Sequence, residues 1–408
     1  MIAAGAESID RERSRARSRS ASGERPHTIV APRVVLYSHD TCGLGNIRRT
    51  LLLAETIRAE YRDASLLVVT GSPVIHAFRI PDGVDYVKLP TLDRTDADRY
   101  SPRFLNGAAA VMALRRDILE RTIVGFDADL VIVDKRPSGI DGELDQTLRA
   151  LAAVPRRPKL VLGIRDILDE PTRTRASLAR SGAMATIARY YDEVWIYGEQ
   201  SVFDTAAQYH FTPDVMARTH YCGYLKRPTM VTPRRPGPPR VLVTTGGGED
   251  GAALLRAYLR DLMALPRAVA LSSVVICGPE LAATARTALK AEFASLPDVE
   301  LLDFEGDMTR RYADADVVVS MAGYNTVCEL LSFGKKAVLV PRVAPVAEQL
   351  MRAELLAQRG YVRMLPPDRL RPGALMSLVR EALEAPAVLH DVVDGDVDRM
   401  FAVGPLQL

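Results

Sequence analysis

The residues best placed to do chemistry fall in two strand, glycine turn and helix stretches. The first spans Val317 to Leu356. A β-branched run, Val317–Ser320, leads into Gly323, Asn325 and Thr326, followed by Glu329, Pro341 and the pair Glu348 and Gln349. Such a unit presents free backbone N–H groups and the positive end of a helix to an anion. Gly323 allows a tight turn and a close approach to a ligand. Asn325 or Thr326 can cap the helix. Glu329 follows Thr326 at capping-box spacing, so its carboxylate either closes the helix end or binds hydroxyl groups. Gln349 reads either as a solvated helix residue or as a ligand contact. The second stretch is SHDTCGLGNIRR, from Ser38, with Gly43 and Gly45 in the turn and a helix expected from about Asn46 to Ala59. His39 and Asp40 are its titratable groups, at the carboxyl end of a strand, where ligands of open α/β sheets sit. Either can take a proton from a hydroxyl, and His39 reads equally as a loop histidine that shapes the turn. Arg48 and Arg49 suit either an anion or solvent. As a dinucleotide fingerprint this stretch fails, because Arg48 stands where a third glycine is needed.

The pattern GYNTxxE, then GxxxxxxP, then EQ resembles the C-terminal domain of glycosyltransferase family 28, which includes the enzyme adding N-acetylglucosamine to the lipid-linked peptidoglycan precursor. The resemblance implies a GT-B fold, two Rossmann-like α/β domains facing each other across a cleft. It places the nucleotide diphosphate on Gly323, Asn325 and Thr326, the ribose hydroxyls on Glu329, and the donor sugar on Gln349 with Glu348 beside it. It also places Gly246, Gly247 and Gly248 across from the Gly323 turn, and the uracil at Phe304 and Met308. As a plain core residue, Met308 would simply open its helix. The SHDTCGLGNIRR stretch resembles an SHDTxGLGHxRR signature of similar transferases, which implies an acceptor-side loop of Gly43, Gly45, Asn46 and Arg48. Asn46 stands where a histidine is usual and cannot take a proton at neutral pH. The candidate bases are therefore His39 and Asp40.

The elements that must hold these residues alternate strand and helix, as in a parallel sheet covered on both faces. Strands are expected at 34–37, 66–70, 85–88, 129–133, 159–162, 192–197, 240–245, 273–277, 299–304, 317–320 and 337–340. Helices are expected at 102–120 and about 372–383, among others. Charged loops recur at strand ends and converge on one rim of such a sheet, where they read either as acceptor-site candidates or as ordinary loop charges: Asp134, Lys135 and Arg136; Arg165 and Asp166; Glu199. Asp127 with Asp129, and Asp314 with Asp316, each precede a strand and read as entry turns. The proline-dense run from Lys226 to Arg240 suits no helix or central strand. The expected organisation is an Arg/Ser-rich disordered tail over 1–31, an acceptor-binding domain over 32–227, a linker over 228–239, a nucleotide-sugar domain over 240–390, and a terminal segment over 391–408 crossing back to the first domain.

Composition narrows the classes. The 408 residues are 48% hydrophobic and 25% charged, with a net charge of +2, which is too balanced to argue for nucleic acid. Cys42, Cys222, Cys277 and Cys328 form no CxxC pair, which suits a reducing cytoplasm and neither zinc nor a disulfide framework. No apolar run reaches a membrane span, and no signal-peptide core is evident; peripheral membrane contact stays open. The expected chemistry is metal-independent inverting transfer of a sugar from a UDP-sugar to an unknown hydroxyl acceptor, without a further cofactor. Two alternatives are a nucleotide-sugar epimerase, using Asp40, Asp134 and Glu348, and a non-catalytic nucleotide-sugar-binding regulator.

Overall fold

The structure is a computed structural model and describes residues 31–40, 45–96, 99–104, 107–227, 229, 236–266 and 269–386. Most of the N-terminal tail, Cys42, Gly43, most of the proline-rich linker and the terminal segment lie outside the described residues.

Two parallel sheets form the frame. The first contains β1 (Arg33–Ser38), β2 (Ser65–Thr70), β3 (Val84–Lys88), β6 (Leu130–Asp134), β7 (Lys159–Arg165), β8 (Glu193–Tyr197) and β9 (Thr219–Tyr221). Their spatial order is β3-β2-β1-β6-β7-β8-β9. The second contains β10 (Arg240–Thr244), β11 (Ser272–Ile276), β12 (Val299–Leu302), β13 (Val317–Ser320), β14 (Lys336–Leu339) and β15 (Arg363–Met364), in the order β12-β11-β10-β13-β14-β15. Both are doubly wound, with the order reversing beside the first strand. The central strands are buried on both faces, which explains their continuous Val, Leu and Ile runs. Carboxylates pin the strand entries: Asp129 accepts the Arg33 N–H at 2.8 Å, and Asp316 accepts the Arg240 N–H at 2.9 Å.

One expected helix is corrected. The segment after Leu89 forms an antiparallel hairpin, β4 (Leu92–Asp96) with β5 (Arg99–Pro102), and the helix starts only at Ala108. Pro102, expected to open the helix, instead ends the hairpin. A single hydrophobic cluster runs from Val34 and Ile57 through Tyr224 and Leu225 to Tyr324 and Leu330, so the two halves share a core. Among the described residues no helix is long and apolar enough to cross a membrane.

Candidate active site

A cleft of about 370 Å³ opens between the halves. The second half lines it with Gly246, Phe304, Met308, Thr326 and Glu329, five of the residues expected at the donor site. The first half and the chain leaving it contribute Arg48, Phe78, Arg79 and Arg227. Fold topology explains the convergence. The loops after β10 and β13 flank the reversal point of the second sheet, where the crevice outside the strand ends receives ligands.

The helix Tyr324–Ser332 supplies the turn. Gly323 stands at its N-cap with extended backbone, so Asn325 and Thr326 lie inside the first turn and do not cap it; no side chain does. Glu329 therefore makes no capping box. Its carboxylate is buried and receives the Arg48 guanidinium from the first half. The open N-terminal N–H groups and the space over Gly323, where an added Cβ would meet nothing within 4 Å, leave room for an anion. Asn325 spans to the first half: its Nδ2 donates to the Gly45 carbonyl at 2.9 Å, and its Oδ1 accepts from Arg227 Nη2 at 3.0 Å. Arg227 makes no ion pair among the described residues. Its Nε has no partner, and it faces the cleft at the positive helix end. The sequence reading treated it only as part of the linker's edge; a lone arginine before a proline-rich run carries no local signal.

Of the glycine triplet, only Gly246 lines the cleft. A Cβ on it would lie 3.9 Å from Thr326 Oγ1, so the two loops do face each other. Gly247 and Gly248 pack against the loop after β11. An added Cβ would meet Glu280 Oε2 at 2.3 Å and the Cys277 carbonyl at 2.3 Å, respectively. Gly248 thus lets two backbones touch, whereas Gly247 faces the end of a glutamate side chain. Phe304 is 49% exposed at the cleft mouth, and Met308 opens the helix Met308–Asp314.

Glu348 and Gln349 do not line this cleft. They start the helix Glu348–Gln358, which docks on the first sheet through buried charges. Arg352 binds Asp166 with both ends of its guanidinium, at 2.7 and 2.8 Å, and donates to the Ala322 carbonyl at 2.9 Å. Arg165 pairs with Glu348 at 2.8 Å. Burial works against ionisation of Glu348, but Arg165, Arg352, Lys135 and Arg342 outweigh it and hold its carboxyl below the usual range. Arg49 makes a matching fork on Asp134 at 2.7 and 2.9 Å, and the Tyr324 ring lies 5.8 Å from Arg49 and 5.7 Å from Arg352. Gln349 Oε1 accepts the Arg342 N–H at 3.4 Å.

His39 and Asp40 are buried at the end of β1. Asp40 accepts from the Ser38 and Thr70 hydroxyls and from the Ile47 N–H, so it ties the helix Gly45–Glu60 to the sheet. Burial pushes its carboxyl up to about 6. His39 Nε2 lies 3.5 Å from Asn46 Nδ2, and its Nδ1 has no partner. Burial, with Lys135, Arg136 and Arg49 nearby, pushes its imidazole well below the ordinary value.

Residues 241–391 match the glycosyltransferase family 28 C-terminal domain. A UDP-N-acetylglucosamine–N-acetylmuramyl-(pentapeptide) pyrophosphoryl-undecaprenol N-acetylglucosamine transferase of Phenylobacterium zucineum is 33% identical over 168 residues, 40% of this chain and 45% of that protein. The chain thus aligns with less than half the length of that relative. Acinetobacter baumannii MurG superposes with a TM-score of 0.53 at 16% identity, over 91% of this chain and 99% of that one. A structure described as a UDP-N-acetylglucosamine 2-epimerase from Listeria monocytogenes superposes with a TM-score of 0.59 at 12% identity, over 91% and 95%. Together these findings show a GT-B fold whose second half is a glycosyltransferase family 28 C-terminal domain, similar to that of the peptidoglycan-precursor N-acetylglucosamine transferases.

Proposed function

We propose that this protein is an inverting glycosyltransferase that moves a sugar from a UDP-sugar to a hydroxyl acceptor. The reading rests on one observation: Gly246, Phe304, Met308, Thr326 and Glu329 converge with Arg48 and Arg227 on one cleft between the halves. The diphosphate would lie over the open helix end at Gly323, with Arg227 as its counter-ion. Glu329 would bind the ribose hydroxyls, and the base would stand against Phe304 and Met308. Charge developing on the leaving diphosphate would then meet fixed N–H donors and arginine, which favours the transition state over the ground state. Gly45, Asn46 and Arg48 would form the acceptor-side wall.

The epimerase alternative needs free carboxylates around the sugar. Asp134 and Glu348 are each tied to arginine, and Asp40 is filled by three donors. That favours transfer. The test is incubation with a panel of nucleotide sugars, with and without acceptor extract, following free nucleoside diphosphate. Diphosphate release that depends on acceptor supports transfer. An isomerised sugar without release supports the epimerase, and binding with neither leaves a regulator.

A further inference from the structure

The first sheet has its own reversal point, between β1 and β6. Ligands of such sheets bind in the crevice outside the strand ends at that place. His39 follows β1 there and Lys135 follows β6, the two strands running in register with Tyr37 beside Val133. Arg165, at the end of the next strand, reaches across to Glu348 of the second half. The crevice thus faces the Glu348 and Gln349 end of the second half.

Lys135 is unusual in two independent ways. Its backbone has φ of 65°, in the left-handed region, which a side chain of this size enters only at a cost. The Gly163 carbonyl, accepting its N–H at 2.7 Å, helps hold it there. Its ammonium is partly buried and makes no ion pair among the described residues.

The charged groups facing it are Asp134 and Arg136 on its own loop, Arg165 at the end of β7, His39 after β1 and Glu348 from the second half, and these in turn neighbour Asp40, Arg49, Asp166, Arg342 and Arg352. Each carboxylate is already answered. Asp134 is held by Arg49, Asp166 by Arg352 and Glu348 by Arg165, and Asp40 is filled by hydroxyls and an N–H. Burial, with Arg165 and Arg136 nearby, brings the Lys135 ammonium down to about 7. The other candidates are poorer bases. Asn46 cannot take a proton, His39 holds one too weakly, and the Asp40 oxygens are occupied.

We propose that Lys135 is the general base of the transfer reaction. Its Nζ, as the free amine, takes the proton of the acceptor hydroxyl while that oxygen bonds to the anomeric carbon. The bond from that carbon to the diphosphate breaks on the opposite side, and its electron pair leaves on the phosphate oxygen. Nζ then releases the proton to solvent. This assignment rests on the transferase reading above.

The test uses the full chain and the variants Lys135→Met, Lys135→Arg and His39→Gln. Three readouts apply: the melting shift with UDP, release of UDP from UDP-N-acetylglucosamine and its congeners with acceptor extract, and acetic anhydride labelling of Lys135 followed by mass spectrometry across pH. The expected result is an unchanged UDP shift, turnover at least ~100-fold lower in both Lys135 variants, and labelling of Lys135 that titrates near pH ~7 where ordinary lysines titrate near ~10. Turnover in Lys135→Met within about threefold of the parent, or labelling that follows the surface lysines, overturns the assignment. If UDP shifts the parent's melting by nothing, the transferase reading falls, and the labelling still judges the amine.

Discussion

The Arg48 guanidinium of the first half is ion-paired across the cleft with the Glu329 carboxylate of the second, and both line the cavity. The carboxylate proposed to bind hydroxyl groups is thus satisfied by a residue from the opposite wall. A charged carboxylate buried to this degree needs such a partner, so on the proposed reading ribose would share Glu329 with Arg48 or displace it.

Glu329→Gln is expected to weaken UDP binding by ~1–3 kcal/mol, the scale of a lost charge-assisted hydrogen-bond pair. The parent's preference for UDP over 2′-deoxy-UDP should shrink with it. Calorimetric titration of both nucleotides checks this. Equal affinities in parent and variant would remove Glu329 from the site.

Arg227→Ala is expected to weaken UDP binding by ~1.5–3 kcal/mol while leaving uridine binding nearly unchanged, because the lost cation faces phosphate and not the nucleoside. Parallel titrations with UDP and uridine separate the two. A loss shared equally by both ligands would place Arg227 in a purely structural role.

Arg352→Met leaves Asp166 buried without its guanidinium. Removal of one partner from a buried pair costs ~3–5 kcal/mol, far more than an exposed pair. Denaturant midpoints should show this, and the double variant Arg352→Met with Asp166→Leu should recover most of it.

Asp40 gives a pH dependence with a definite sign. Its carboxyl is raised to about 6 in the folded protein from an ordinary value near 3.8. Its contribution is therefore intact below about pH 4 and is lost as pH rises through about 6, a difference on the order of 2–3 kcal/mol. Asp40→Asn should melt at or above the parent at pH ~7.5, and the gap should close near pH ~4.5. If Asp40 anchors the helix and is not the base, this variant also keeps turnover.

Much of this was legible in the residues. The β-branched runs and glycine turns placed the strands, and Thr326 and Glu329, one turn apart, marked the helix that lines the cleft. Three features were not. The hairpin before Ala108 is hidden because Arg99–Pro102 pairs only with a neighbour that carries no apolar alternation of its own. The burial of Glu348 depends on Arg165, which lies far away in the chain and reaches it only once the halves dock. Arg227 is a single cation whose meaning comes from the uncapped helix end beside it, and Lys135, legible as one of the strand-end charges, is set apart only by neighbouring carboxylates that already hold other partners. Asp40 was legible as a polar residue at a strand end. Its three hydrogen-bond donors, which make it an anchor, come partly from β2.

The fork of Arg352 on Asp166 has a mechanical consequence. It stitches the lobes together near the Glu348 side, whereas the Gly323 side is bridged by Arg48 reaching over to Glu329 and by Asn325 donating to the Gly45 carbonyl. The buried fork is the firmer of the two ties, because it is screened from solvent while Arg48 is partly exposed. On the proposed reading, a nucleotide sugar would enter sugar first and uracil last, past Phe78 and Phe304 at the cleft lining.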